Sequence, residues 1–415
     1  MSILIKNIKR LLVVQEGNST PLRGSALSEL NSIDNAFVYI KDGVIEDYGV
    51  MSGMPLLSDN QEVEVIDADG RMVMPAYCDS HTHIVYSGSR EMEYMDKIRG
   101  LSYQEIAARG GGILNSVDLL HNTSEDELYR QAMERVDEMI RFGTGAIEVK
   151  SGYGLSVEDE VKMLRVARRI GDSSDVTVRT TFLGAHAYPR RYLENKSKYV
   201  DEIIKEMIPV IQSEGLADYI DVFCEQGFFS VEDSERILRA GIDAGMIPTI
   251  HANQMSKSGG VELGVKLGAS SVCHLEFTDE SHYKLLGESE TIATMLPGST
   301  FFLKMNYPNV REMIDKNVAV ALATNYNPGS SPSGDMKFMM ALSCLYLNMK
   351  PEEVINASTI NGAYAMGVAH KLGSITKGKV ANLIITKPIP TYEFIPYSFS
   401  TPLVEKTILK GKIYG

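Results

Sequence analysis

A chain of 415 residues exceeds what one hydrophobic core usually supports, although a single α/β barrel often reaches that size, so one large barrel with a satellite domain is the natural expectation. The formal net charge of −13, without any Lys- or Arg-rich block, argues against nucleic acid and anionic membrane surfaces as partners and favours a small molecule. No 18 apolar residues run together, and the first ten alternate charged with apolar residues, so neither a spanning helix nor a signal peptide is expected. Cys78, Cys224, Cys273 and Cys344 lie far apart in apolar contexts with no C-x-x-C spacing, which predicts buried free thiols in a cytoplasmic protein.

Residues 1–71 contain short strand-like pieces, among them 36–40 and 44–48 joined through Lys41-Asp42-Gly43, a tight-hairpin signal. From residue 72 onward eight short apolar runs alternate with amphipathic stretches: 72–78, 144–149, 176–183, 219–224, 247–250, 270–273, 291–296 and 318–324. Between them Val161, Leu164, Ala167 and Ile170 form one helical stripe after Ser156, and Ile237, Ala240 and Ala244 another after the N-cap candidate Ser230. Residues 373–415 return to strand-like pieces, 381–386 and 407–414, the latter turning at Lys410-Gly411. The predicted fold is a (β/α)8 TIM barrel over 72–372 with a small β-sandwich domain assembled from 1–71 and 373–415.

In such a barrel the chemistry sits where strands end. The residues closing the eight runs are His81 with His83, Lys150, His186, Glu225, His251, His274, the unreactive Pro297-Gly298, and Asn325. Five of the eight histidines stand at strand ends; His121, His282 and His370 fall in polar stretches and read as surface residues. The period of two along a strand places His81 and His83 on one face. With His251 they offer three neutral imidazoles to a zinc- or iron-type ion, leaving room for an oxygen ligand and a water, which points to hydrolysis. The run Gly110-Gly111-Gly112 is not a G-x-G-x-x-G and follows no strand, so it reads as a close-packed turn and not as a nucleotide loop.

Longer motifs narrow this further. Met74 to His83, Gly88-Ser89-Arg90, Gly110 to Ile113, Glu148 to Leu155, Gly184-Ala185-His186, His251 to Gln254, Cys273 to Glu276 and Asn327 to Pro332 together resemble the imidazolonepropionase family of the amidohydrolase superfamily, over essentially the whole chain. The H-x-H indicates only the superfamily; K-S-G-Y-G-L and N-P-G-S-S-P are much more specific to this family. The resemblance implies hydrolytic opening of 4-imidazolone-5-propanoate to N-formimidoyl-L-glutamate in histidine degradation, with one zinc or iron ion, in an enzyme that is often a homodimer. It implies His81, His83 and His251 as metal ligands with Asn325 at the fourth ligand position. It further implies Arg90, Tyr153, His186, Gln254, Asn327, Gly329 and Ser330 as substrate-holding residues, and Asn325, His274 and Gln254 as the positions nearest the reaction. These residue types suit the substrate: Arg90 offers a planar fork and Tyr153 a directed O–H to a propanoate, while Gln254 and the backbone at Gly329 suit a cyclic amide. Some amidohydrolases bridge two metals with a carbamylated lysine at the position of Lys150; the resemblance implies one metal and an unmodified Lys150, a buried cation paired with a carboxylate such as Glu148 or Glu225.

The family pattern Ala-Thr-Asp-x-Asn becomes Ala323-Thr324-Asn325-Tyr326-Asn327 here. An amide oxygen can approach a metal but takes no proton at neutral pH, so turnover is expected to fall by on the order of 10² to 10⁴ if the aspartate is the base. An engineered change, a natural homologue with lost or altered activity, and a site in which His274 serves as base all fit. Another cyclic-amide or amidine amidohydrolase, dihydroorotase-like or guanine-deaminase-like, and a catalytically silent ligand-binding homologue are the alternative functions.

Overall fold

The computed structural model describes residues 2–15, 20–55, 62–101, 105 and 111–415. Strands β1 (Ser2–Leu12), β2 (Ser32–Lys41), β3 (Val44–Val50), β4 (Val63–Asp67) and β5 (Met72–Pro75) open the chain. The barrel strands follow: β6 (Tyr77–Thr82), β7 (Thr144–Lys150), β8 (Thr177–Ala185), β9 (Tyr219–Cys224), β10 (Ile247–Ala252), β11 (Ser271–His274), β12 (Ile292–Met295) and β13 (Val320–Leu322). Strands β14 (Leu383–Thr386), β15 (Val404–Leu409) and β16 (Lys412–Tyr414) end it.

Strands β6 to β13 pair in sequence order, in parallel, and the sheet closes where Asn325 N–H donates to the His81 carbonyl (2.9 Å) and His83 N–H to the Tyr326 carbonyl (2.9 Å). Six of these strands are buried at every residue, as parallel strands covered on both faces must be. The covering helices carry the expected caps: Ser156 Oγ accepts from Asp159 N–H at the head of Val157–Ser173, and Ser230 Oγ from Asp233 N–H at the head of Val231–Asp243. The stripe Val161, Leu164, Ala167 and Ile170 is buried, and truncating Leu164 to Ala would cost about 2–5 kcal/mol.

The two chain ends form one eight-stranded sheet, ordered β16-β15-β14-β5-β1-β2-β3 with β4 also on β1. Ile3, Ile5, Val38, Leu383, Ile385 and Ile408 share one core, so this sheet wraps round its own interior. Both sequence-predicted hairpins form, and their turns, Asp42-Gly43 and Lys410-Gly411, have positive φ at both residues, as primed two-residue turns require.

The expected first barrel strand, 72–78, is in fact two strands in two sheets. Residues 72–75 belong to the terminal sheet, and the chain changes sheets at Ala76: its N–H donates to Asn382, while the next, of Tyr77, donates to Gly143. Pro75 has no N–H to continue the ladder, and both pieces are buried, so hydropathy alone shows no break. Among the described residues no helix is long and apolar enough to cross a membrane. Gly110 lies outside the described residues; Gly112, with φ +88°, caps the helix Ile113–His121.

Candidate metal centre

His81 and His83 stand at the end of β6 with their Nε2 atoms 3.3 Å apart. The His251 ring, from β10, lies 4.5 Å from that of His81 and 5.6 Å from that of His83, centroid to centroid. One ligand nitrogen from each of the three falls within 4.8 Å of the others. All three rings are buried, and burial lowers each pKa from its ordinary value; the Lys150 charge adds to this at His81, and His186 at His83. Neutral imidazoles keep a lone pair for a metal.

His251 is held by a buried charge network. Its backbone N–H (3.2 Å) and Nδ1 (3.1 Å) face Asp221 Oδ1, and Lys150 Nζ donates to Asp221 Oδ2 and Glu148 Oε1, both at 2.8 Å. With Nδ1–H given to Asp221, Nε2 carries the lone pair, and among the described residues Nε2 has no hydrogen-bond partner. Burial opposes the Asp221 charge, yet the Lys150 ammonium and His251 outweigh it and hold this carboxyl far below its usual range. Burial pushes Glu148 up to about 6 in spite of Lys150. Lys150 remains charged because Asp221 and Glu148 together overcome its burial. Three buried imidazoles, each with a ring nitrogen that has no hydrogen-bond partner among the described residues, beside a Lys150 already neutralised by Asp221 and Glu148, fit a metal ion.

Asn325 follows β13 in left-handed backbone, φ +50°, which Asn tolerates better than most residues. Its Nδ2 donates to Ser299 Oγ (2.7 Å), and its buried Oδ1 has no partner among the described residues. The side chain can therefore present only a neutral oxygen.

A cavity of about 360 Å³ is lined by His83, His251, His274 and Asn325 together with Arg90, Tyr153, His186, Gln254, Asn327, Gly329 and Ser330. Each of the sequence-predicted site residues is thus on its wall, except His81, which lies beneath within the histidine cluster. Arg90 is not a solvated loop residue: its Nε and Nη2 donate to Glu93 Oε2 at 2.9 and 2.5 Å, and its guanidinium lies so close over Gly329 that a side chain there would push it aside. Asn327 Oδ1 accepts both the Gly329 and Ser330 N–H groups at 2.8 Å, a side-chain-closed turn. The His186 ring stacks 5.3 Å from His83 and its Nδ1 faces the Gly152 carbonyl at 3.0 Å. Burial takes its pKa down to about 3.

Several residues the motifs did not single out complete the site. Asp221, and not Glu225, is the second partner of Lys150; Glu225 instead accepts from the Gln226 and Met255 N–H groups and the Ser256 hydroxyl, bracing the loop that carries Gln254. A lone charge inside the buried run Tyr219 to Cys224 was the available signal for Asp221. Glu160, fully buried, accepts from the N–H groups of Gly152 (3.0 Å), Gly154 (2.8 Å) and Leu155 (2.9 Å) and so shapes the loop that presents Tyr153. The seventh strand end is not inert, because Ser299, directly after Pro297-Gly298, holds Asn325. His282 is buried and not a surface residue: its Nδ1 faces Asp279 Oδ1 at 2.8 Å and its Nε2 faces Asn253 at 3.3 Å, fixing the chain just after His251. His121 and His370 are exposed, and Cys78, Cys224, Cys273 and Cys344 are free thiols.

Residues 72–414 match the family model described as Amidohydrolase family. The chain belongs to the amidohydrolase family. Within that family it is 52% identical over 413 residues to a protein named imidazolonepropionase from Flavobacterium johnsoniae, covering 100% of both chains. It is 40% identical to another of that name from Clostridium tetani, covering 99% of this chain and 98% of that one. Among solved structures, E. coli guanine deaminase aligns over 100% of this chain and 99% of its own with a TM-score of 0.72 at 14% identity, a likeness of fold alone. The barrel with its terminal sheet is the architecture of this amidohydrolase family.

Proposed function

We propose that the chain hydrolyses 4-imidazolone-5-propanoate to N-formimidoyl-L-glutamate, the activity carried by the name of its relatives, with one zinc or iron ion held by His81, His83 and His251. The observation that carries this reading is one cavity onto which the histidine cluster opens through His83 and His251 and whose wall also carries Arg90, Tyr153 and Ser330. When bound, the ion supplies Lewis-acid activation of water.

The chain's own residues supply the rest. The Arg90 fork and the Tyr153 hydroxyl bind the propanoate, with Arg90 exchanging part of its pairing with Glu93 for the substrate carboxylate. Gln254, His186 and the Asn327 to Ser330 turn orient the ring, whose carbonyl faces His274. Water adds to the carbonyl carbon and the ring C–N bond breaks, the proton passing from water to the leaving nitrogen. Asn325 stands at the fourth ligand position and cannot take that proton, so turnover is reduced.

The purified protein loaded with zinc or with iron, incubated with 4-imidazolone-5-propanoate and separately with dihydroorotate and guanine, tests this. The expected result is slow formation of N-formimidoyl-L-glutamate from the first alone. Turnover of either control without any from the imidazolone would overturn it. A silent binding homologue is the second reading, favoured by the Asn325 amide, and is selected by tight substrate binding with no product even after Asn325→Asp.

A further inference from the structure

His274 closes β11 in an unusual conformation. It and Leu275 are buried, non-glycine, consecutive, and both in left-handed backbone, at φ +81° and +70°. Such strain persists only where the surroundings enforce it. Its effect is to turn residue 276 back beside residue 274, so that Glu276 Oε2 lies 3.6 Å from His274 Nδ1. Both side chains are enclosed, and neither atom has a hydrogen-bond partner among the described residues. At 3.6 Å this is not yet a hydrogen bond, but such contacts are often long before substrate binds, and a small ring rotation closes it.

The other Glu276 oxygen is fixed: Oε1 accepts from the Thr300 hydroxyl at 2.8 Å. The neighbouring Ser299 holds the Asn325 amide at 2.7 Å. One turn of the segment Pro297–Leu303 therefore sets both the residue at the fourth ligand position and the carboxylate behind His274.

We propose that Glu276 is a positioning residue for His274, accepting its Nδ1–H so that Nε2 is left unprotonated as an acceptor in the cavity. In this chain the His274–Glu276 pair takes, more slowly than a carboxylate at residue 325 would, the proton that Asn325 cannot. The inference rests on the hydrolytic reading above. An O–H bond of water breaks as its oxygen bonds the ring carbonyl carbon, His274 Nε2 takes the proton, and the ring nitrogen receives it as the C–N bond breaks. One water is consumed and no other reactant is needed.

The test is a cycle between residues 276 and 325, read as kcat and KM on 4-imidazolone-5-propanoate. In the native background Glu276→Gln, an isosteric change, is expected to lower kcat about tenfold or more with KM within about twofold. In the Asn325→Asp background, where a carboxylate offers a second acceptor, the same change is expected to cost less than about threefold. Thr300→Val, which keeps the carboxylate but frees it to rotate, should give a smaller loss with the same dependence on residue 325. Equal losses in the two backgrounds, or no loss in the native one, would overturn the positioning role while leaving the reaction in place. Absence of turnover in all these proteins, Asn325→Asp included, would overturn the proposed reaction and this inference with it.

Discussion

The two sides of the metal-facing wall are built on different physics. At His251 the support is ionic and interlocked: Asp221 answers both His251 and Lys150, and Lys150 answers both Asp221 and Glu148. At Asn325 the support is a single hydroxyl, Ser299 Oγ, which accepts from an amide and can equally donate to a carboxylate. The first arrangement tolerates no change of charge, because each loss leaves a buried ion unpaired. The second lets Asn and Asp exchange without orphaning any partner. Either residue can therefore stand at position 325 while the fold and the histidine cluster persist.

The contrast can be broken most severely at the histidine side. His251→Ala is expected to abolish stoichiometric metal binding and detectable turnover, measured by elemental analysis beside product assay. A chelator should then lower the melting temperature of the native protein and leave that of His251→Ala unmoved, since only a bound ion stabilises by linkage. Equal shifts in the two proteins would place the metal elsewhere. One step further back, Lys150→Met leaves Asp221 and Glu148 facing each other without a cation and should cost about 3–5 kcal/mol in denaturant unfolding. A midpoint unchanged from the native protein would show that the network is not what holds His251. Elsewhere on the cavity wall Arg90→Lys replaces a fork by a point charge; KM for the imidazolone should rise about tenfold, one bidentate contact's worth, with kcat little changed. A fall in kcat at constant KM would assign Arg90 to the chemistry and not to binding.

Much of the barrel was legible because parallel strands buried on both faces write themselves as apolar runs, all but the seventh ended by a polar residue. That regularity also hid the change of sheet at Ala76, where two buried strands abut with no polar residue between them. The cavity wall was legible wherever a ligand-type residue closes a strand, as at His83, His251 and His274. Its supports were less so. Asp221 lies inside a strand, and Glu160 and Glu276 are single acidic residues whose partners are backbone groups or distant side chains, which no spacing rule brings together. His282 has a polar neighbourhood in sequence, and it is the cap at Asp279 that makes it an inward-facing position.

The central claim is that this site keeps its metal ligands and its substrate wall and lacks only the proton acceptor at residue 325. Turnover of 4-imidazolone-5-propanoate by the metal-loaded protein and by its Asn325→Asp variant, at matched metal content, tests it most directly. A rise in kcat of about a hundredfold or more, with the unfolding midpoint nearly unchanged, is the predicted result. Equal rates in the two proteins would contradict it.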